Sequence, residues 1–407
     1  MTLGLTAPAF AQLDLFSADT ISGRLDLRAG AANGETSWVD GGFGKSRFGG
    51  SPSGGWEAQG KIADAILQWK PNFSWGLSGV VDAEYQSDQK NPLGFTEAYL
   101  QYKPLLAGGT HVSARAGMFF PPISMEHDGP AWTTTRTITP SAINSWVSEE
   151  VKGTGLEGTV RHSFAGQELG LTAGAFESND TSGTLLGFRG WSLSDERDIA
   201  RGRFALPPLG AFDAMIQPPF TTPSLELDHR LGYYVRADWR PPAPFSLNAI
   251  HYDNQGDQIS VNHQGQWSWR TQFNNVGAAW KPADNTEVLA QAMQGRTRMG
   301  YKDPTDGIWV YQDFSAAYVL VSQTFGRQAI TGRLDAFSTN DEADDEYGHN
   351  SENGWAMTAA WKRVFSPSAQ VLLEVVRTDS TRAARLLAGD PPHQIQTVIQ
   401  ASTRLSF

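Results

Sequence analysis

The stretch QIQTVIQASTRLSF, residues 394–407, alternates apolar and polar side chains up to its last position. Because successive side chains of a β-strand point to opposite faces, this period of two predicts a strand with one apolar and one polar face. A soluble sheet rarely leaves a large aromatic such as Phe407 on an outward face. The stretch therefore favours a strand that meets lipid, and the edge strand of a soluble sandwich is the alternative.

The same alternation recurs along the chain in segments of strand length, and it predicts about sixteen strands. In most of them one set is apolar and the other charged, as Val235 against Arg236 and Asp238 shows. Such a split indicates a wall with lipid outside and water inside. Aromatic residues stand at strand ends, where a membrane meets water; they are Trp69, Trp75, Tyr102, Trp239, Trp280 and Trp361.

Short and long connections alternate between these segments. The short turns contain strong breakers such as Pro71-Asn72 and Gly326-Arg327. The long loops cover residues 31–55, 121–153, 179–229, 254–267 and 339–353. A barrel with tight periplasmic turns and long external loops requires this alternation. We therefore predict an all-β fold, a closed antiparallel transmembrane β-barrel of about sixteen strands.

Composition excludes several other classes of protein. No run of about 18 apolar residues is present, so a transmembrane helix is excluded and a closed barrel is the remaining way to span lipid. The 42 Gly and the 14 Trp, 10 Tyr and 21 Phe suit many amphipathic strands with aromatic belts. Cysteine is absent and the 8 His lack metal-ligand spacing, so we expect no metal site and no cofactor.

Both ends of the chain indicate export. Residues 1–11, MTLGLTAPAFA, are apolar and end in the small-x-small pattern of a secretory cleavage site. We interpret them as the remnant of a signal peptide and residues 12–407 as a single barrel domain; an ordinary disordered N-terminus is the alternative. The final strand ending in Phe407 resembles the assembly signal of outer-membrane barrels. We therefore expect the bacterial outer membrane as the location.

The loop at residues 121–153, after the fifth predicted strand, is the candidate constriction. Its prolines stiffen it, and Trp132, Ile143 and Trp146 make its middle too apolar for a solvated loop. We expect this loop to fold inward against the barrel wall. An external loop packed on its neighbours, or on a partner subunit, is the alternative.

The segment GMFFPPISME, residues 117–126, turns from a strand end through two prolines into Ser-x-Glu. It resembles the corresponding stretch of the phosphate-selective porin O and P family and its porin relatives, and the strand layout is similar over residues 12–407. The resemblance implies a homotrimer in which the loop narrows each subunit's channel. Phosphate selectivity does not follow, because in that family it depends on closely spaced arginines and lysines. The charges of this loop are Arg136 and Lys152 against Glu126, Asp128, Glu149 and Glu150.

Alternation places many arginines on the lumen wall, and together with charges of the loop they are the candidate pore-lining and selectivity residues. One hypothesis is a transverse field between wall arginines and the acidic loop, which would orient polar solutes. The equal alternative is that the charges pair with one another and keep the lumen hydrated. The candidates are Arg24, Arg28, Arg115, Arg161, Arg236, Arg333 and Arg404 on the wall, and Glu126, Asp128, Arg136, Glu149 and Glu150 in the loop.

These patterns predict an outer-membrane porin, a water-filled channel for passive diffusion of small hydrophilic solutes or ions. A lipase-like barrel enzyme is one alternative, but its nearest Ser and His pair, His162 and Ser163, points to opposite faces of one strand. A structural or adhesive barrel, plugged by its long loops, is another. We therefore expect no enzymatic activity. The expected partners are small solutes or inorganic ions and outer-membrane lipids, without nucleic acid.

Overall fold

The computed structural model describes residues 13–51, 53–106, 108–303, 307–343 and 350–407, so the interpretation of residues 1–11 as a leader lies outside the described residues. One antiparallel sheet closes on itself, because Leu25 of the first strand pairs with both Ala65 of the second and Leu405 of the last. The prediction of an all-β, closed antiparallel barrel of sixteen strands is confirmed. In the described ranges no helix is long and apolar enough to cross a membrane.

The barrel strands are numbered β1 to β16 in chain order, and a short strand, Asn72–Ser74, extends the turn after the second. The barrel strands are β1 Ile21–Ala32, β2 Glu57–Trp69, β3 Leu77–Gln86, β4 Leu93–Tyr102, β5 Thr110–Phe119, β6 Gly153–Phe164, β7 Gln167–Glu177, β8 Gly232–Arg240, β9 Phe245–Asp253, β10 Arg270–Ala283, β11 Thr286–Asp303, β12 Gly307–Phe325, β13 Gln328–Asp341, β14 Glu352–Ser366, β15 Ala369–Arg382 and β16 His393–Ser406.

The helices and remaining short elements lie in the long loops. Helix α1 is Ala142–Glu150, in the loop between β5 and β6. The loop between β7 and β8 contains α2, Thr184–Phe188, and α3, Asp213–Ile216. It also contains the strand pair Phe204–Ala205 and Phe220–Thr221, and 3-10 turns occupy Trp38–Asp40, Pro130–Trp132 and Ala383–Ala388.

The exterior of the barrel is apolar, whereas charged side chains of the wall point into its interior. Leu156, Leu171 and Ile330 point outward and are each more than half exposed, as a surface that lipid covers would be. Asp26 and Arg333 point inward and are buried. The alternation seen in the sequence therefore separates a lipid-facing set of side chains from a lumen-facing set.

Strands β11 and β12 run further than the sequence predicts. The alternation indicated strands at residues 287–295 and 314–325, whereas the ladder continues up to the pair Asp303 and Gly307. In the added part of β11 the outward side chain of Arg296 is exposed, so the pattern of apolar residues outside is lost. This hairpin extends beyond the apolar band on the long-loop side, where water replaces lipid.

Two glycines of β6 test how closely the strands pack. A Cβ atom at Gly155 would lie 2.0 Å from the carbonyl oxygen of Ala175 on β7, whereas one at Gly158 would have no atom within 4 Å. We expect Gly155→Ala to lower the free energy of unfolding by about 1–3 kcal/mol, because the backbone of β7 has to shift. The matched Gly158→Ala should change it by less than about 0.5 kcal/mol. Urea unfolding followed by tryptophan fluorescence measures both, and equal midpoints would contradict this packing.

Candidate functional site in the barrel lumen

The loop between β5 and β6, residues 121–152 and here called the constriction loop, folds into the barrel as predicted. All 9 residues of α1 are buried, and the side chain of Ser141 caps the helix by accepting from the N–H of Asn144. Trp146 of α1 packs edge-on against Phe273 and Phe314 of the wall, with ring centroids 5.5 and 5.2 Å apart. The apolar middle of the loop is thus buried against the apolar part of the lumen.

Arginines of the wall bind the backbone of the constriction loop. A loop inside a barrel lacks sheet partners, so other groups have to satisfy its carbonyl oxygens. Arg333 of β13 donates to the carbonyl oxygens of Thr139 (2.6 Å) and Pro140 (2.9 Å). Arg404 of β16 donates to that of Thr134 at 2.6 Å. These wall cations therefore hold the loop in place.

Carboxylates of the wall bind the N–H groups of the same loop. Glu374 of β15 accepts from the N–H groups of Ile138 (2.7 Å) and Thr139 (3.0 Å). Asp335 of β13 accepts from the N–H of Ala142 at 3.1 Å, at the start of α1. Because acceptors and donors of the wall both face the loop, the mixed charge of the lumen matches the mixed polarity of a peptide backbone.

The charges of the constriction loop are in direct contact with partners. Glu126 pairs with Arg333 at 3.1 Å and accepts from the N–H of Ser141 at 2.9 Å. Arg136 bridges Asp128 and Glu287 of β11, at 2.8 and 2.5 Å. Glu126 therefore touches a wall cation, and Arg136 joins an acid of the loop to an acid of the wall, with no open gap between these groups.

A second segment of chain also enters the lumen. Residues 179–200, here called the strap, leave β7 and pass around α1, and residues 179–199 are all buried. The carbonyl oxygen of Asp180 accepts from the N–H of Trp269 (2.6 Å), and the ring N–H of Trp191 donates to the carbonyl of Ser338 on β13 (2.9 Å). At the other end, the N–H of Ala200 donates to the carbonyl of Phe95 on β4 (2.9 Å). The strap and α1 together fill the half of the lumen nearest the long loops.

Two glutamates of α1 bind the strap. Glu149 pairs with Arg189 at 2.7 Å. Glu150 accepts from the N–H groups of Gly183 (3.1 Å) and Leu185 (2.8 Å), at the start of α2. Burial raises the pKa of Glu150 to about 7 even though these N–H groups favour its anion. Both sequence candidates therefore connect the constriction loop to the strap.

A charged residue of the strap also pairs with arginines at and near β1. Asp195 pairs with Arg28 of β1 at 2.8 Å and with Arg47 at 3.1 Å. Burial alone would raise the pKa of Asp195, but Arg28 and Arg47 outweigh it and hold that pKa well below its usual range. The stability that this pair contributes is present above the ordinary aspartate pKa, so the strap stays docked at mildly acidic pH.

The remaining arginine candidates lie at different depths. Arg24 is buried and pairs with Asp64 at 3.1 Å. Arg115, Arg161 and Arg236 are only partly buried and lie on β5, β6 and β8. We call the part of the lumen that these three line the vestibule, and it opens toward the end of the barrel that has the short turns.

Carboxylates accompany the arginines of the vestibule. Arg115 pairs with Glu157 at 2.8 Å, and Arg236 with Asp238 at 2.6 Å. The side chains of Arg115 and Arg236 remain 13% and 16% exposed, so water reaches them. The vestibule is therefore more accessible than the filled half of the lumen, and Arg115 and Arg236 also donate to the carbonyl oxygens of Phe120 and Pro122 at the start of the constriction loop.

One group of acids among the described residues has the spacing of metal ligands. Ligand atoms of Asp180, Glu226 and Asp228 lie within 4.8 Å of one another. Burial, reinforced by the two neighbouring carboxylates, raises the pKa of Asp180 to about 7. The backbone N–H groups of Leu227 and Asp228 already donate to Asp180. Because Asp180 lies more than 40 residues before Glu226 and Asp228, no spacing in the sequence could indicate this group.

The strap is the part of the site that sequence reasoning missed. The sequence predicts residues 179–229 only as one of the long external loops, whereas residues 179–199 are buried inside the barrel. A signal was present in the run WSLSDERDI, residues 191–199, where apolar Trp191 and Leu193 precede four consecutive charges. A solvated loop has no need of buried tryptophan and leucine beside such charges.

Comparisons with known proteins identify the fold. No family model and no curated protein matches the chain. The outer membrane channel DcaP of Acinetobacter baumannii aligns over 99% of both chains, with a TM-score of 0.53 and 11% identity. The anion-selective porin from Comamonas acidovorans covers 95% of this chain and 99% of its own, with a TM-score of 0.52 and 11% identity. A loop L8 deletion mutant of OmpT, an outer membrane protein of Vibrio cholerae, has the same coverage and TM-score at 10% identity.

At these identities the likeness establishes the fold alone. The chain has the fold of porin-like outer-membrane barrels, and its apolar exterior agrees with a location in the bacterial outer membrane. The finer resemblance to the phosphate-selective porin O and P family stays a prediction.

Removal of Arg333 tests whether wall charges hold the constriction loop. Arg333→Met leaves Glu126 and Asp335 buried without their cation, so the free energy of unfolding should fall by about 3–5 kcal/mol. The matched control is Arg377→Met on β15, whose side chain is exposed. Urea midpoints of both variants in detergent micelles measure the difference. A midpoint for Arg333→Met as high as that of the control would show that this arginine does not hold the loop.

Proposed function

We propose that the chain is an outer-membrane porin that lets small hydrophilic solutes or inorganic ions diffuse passively, and that it has no enzymatic activity. The observation that supports this proposal best is the vestibule, where paired charges on the wall remain in contact with water. Wall charges that only held the loops would be buried as Arg333 is, whereas those of the vestibule remain partly exposed. Arg115, Arg236 and their carboxylate partners would form the entrance to the solute path.

The constriction loop and the strap set the width of this path. The vestibule ends at the constriction loop, where Arg136, Asp128 and Glu287 remain 18%, 42% and 24% exposed. Beyond it α1 and the strap occupy the lumen. A solute therefore passes only where these two segments leave space for it. We expect a low single-channel conductance and selection of solutes by size and charge.

The proposal includes a homotrimer surrounded by outer-membrane lipids. The apolar exterior supports contact with lipid. One similar structure, with a TM-score of 0.51, is OmpT of Vibrio cholerae in a trimer form. A trimer would cover part of the apolar wall and leave each lumen separate.

A barrel that its own loops block permanently is the second candidate, and the burial of the strap favours it. The two functions differ in whether the wild-type barrel conducts. If the chain is a porin, the strap narrows a path that remains open or opens transiently. If the barrel is permanently blocked, the strap and α1 close the lumen at all times.

Conductance in planar bilayers separates the two candidates. We expect the wild-type barrel to show small discrete steps. A variant in which residues 190–199 are replaced by a Gly-Ser linker of equal length should show steps several-fold larger, because the strap no longer fills the lumen. If only the linker variant conducts, the blocked barrel is favoured. If neither the wild-type barrel nor the linker variant conducts, the porin proposal is wrong.

Ion preference tests the role of the vestibule. Arg115→Ala leaves Glu157 without its cation, so the reversal potential in a salt gradient should shift toward cation preference. Arg377→Ala removes an equal charge from an exposed position on β15 and should leave the preference unchanged. An unaltered reversal potential for Arg115→Ala would show that this arginine does not border the conducting path.

A further inference from the structure

Three consecutive strap residues, Asp195, Glu196 and Arg197, lie against the wall in the way that a bound peptide lies in a receptor. All three side chains are buried, and each contacts an oppositely charged residue outside the strap. The apolar side chains of α1 pack on the wall by shape, whereas this tripeptide is held by charge and by hydrogen bonds to its backbone. The contacts fall into three groups.

The acidic side chains of the tripeptide meet two arginines. Asp195 lies between Arg28 of β1 and Arg47 of the loop after β1, at 2.8 and 3.1 Å. Arg47 also pairs with Glu196. The planar guanidinium of Arg47 thus binds both carboxylates through different nitrogens, a geometry for which arginine is suited.

The basic side chain of the tripeptide meets two acids. The guanidinium of Arg197 pairs with Glu84 of β3 and, at 3.1 Å, with Asp64 of β2. Glu84 has no other cation within salt-bridge distance among the described residues. The wall therefore offers an anionic half beside the cationic half formed by Arg28 and Arg47.

The backbone of the tripeptide is recognised as well. The side-chain amide of Gln86 donates to the carbonyl oxygen of Arg197 (3.0 Å) and accepts from the N–H of the same residue (3.1 Å). Gln89 donates to the same carbonyl at 2.6 Å. This paired donor and acceptor matches the N–H and C=O of one peptide residue, which an inorganic ion does not reproduce.

We propose that Arg28, Arg47, Asp64, Glu84 and Gln86 form a binding site for short peptides with adjacent acidic and basic side chains, and that the strap occupies this site in cis. A peptide of that class would displace the strap and take over its contacts. The strap is then an internal competitor that keeps the lumen filled until a suitable solute arrives. This inference deepens the proposed function, on which it rests, by naming a solute class for the channel.

Because the strap occupies the proposed peptide site, a test of peptide binding has to remove the strap from it. A tethered segment competes at an effective concentration in the millimolar range, so a free peptide binds the wild-type barrel weakly. Removing the charges of the strap exposes the site without changing the wall. The variant Asp195→Ala/Glu196→Ala/Arg197→Ala does this in the full-length barrel.

The experiment is isothermal titration of that variant, in detergent, with the peptide acetyl-Asp-Glu-Arg-amide. We expect binding at least about tenfold tighter than to the wild-type barrel. The charge-inverted peptide acetyl-Lys-Lys-Asp-amide should not bind. Adding Glu84→Gln to the variant should weaken binding of the first peptide by about tenfold or more, because Glu84 is the partner of its guanidinium.

Absence of binding to the folded variant, or equal binding of the two peptides, would overturn the proposal. Faster migration of the unheated barrel on a denaturing gel verifies that the variant is folded. If it does not fold, the isosteric variant Asp195→Asn/Glu196→Gln replaces it under the same criteria. Because titration detects binding without conduction, a failed proposal about peptides is distinguishable from a failed proposal about the channel.

Discussion

The backbone of a loop that enters a barrel must find hydrogen-bond partners on the barrel wall, and this constraint governs the lumen of this protein. Buried N–H and C=O groups without partners are costly. Here Arg333 and Glu374 supply them for the constriction loop, through contacts to Thr139 and its neighbours. A charged lumen is therefore not by itself a sign of an open pore. The same side chains that would hydrate a channel also allow polar chain segments to be packed inside it.

The two inserted segments depend on each other. Helix α1 lies inside the strap, and Glu149 and Glu150 bind strap residues at its far side. The strap in turn reaches the wall through Asp195 and Arg197. The strap therefore contacts both the wall and α1, and α1 also packs directly on the wall through Trp146. A change in the strap would alter both the free volume of the lumen and the support of α1, so solute passage is coupled to loop packing.

Much of this architecture could be predicted from the sequence, because alternation is a local property. The final strand up to Phe407 and the inward fold of the loop around Trp146 followed from side-chain polarity alone. The long hairpin of β11 and β12 exceeded its prediction, because the outward Arg296 no longer meets lipid. The path of the strap was not predictable, since the contact of Asp195 with Arg28 joins residues that are distant along the chain. Ionic partners leave no periodic signal, and only a folded barrel brings them together.

The accessibility of the strap to a thiol reagent tests most directly whether the lumen is filled. The chain has no cysteine, so a single introduced thiol reports on one position without background. Ser194→Cys places a thiol on the buried strap, and Ser53→Cys places one at an exposed position of the first long loop. With a small charged methanethiosulfonate added outside, the account predicts modification of the thiol at position 194 at least about 100-fold slower than at position 53. Equal rates would show that the strap lies in solvent and that the lumen is not filled.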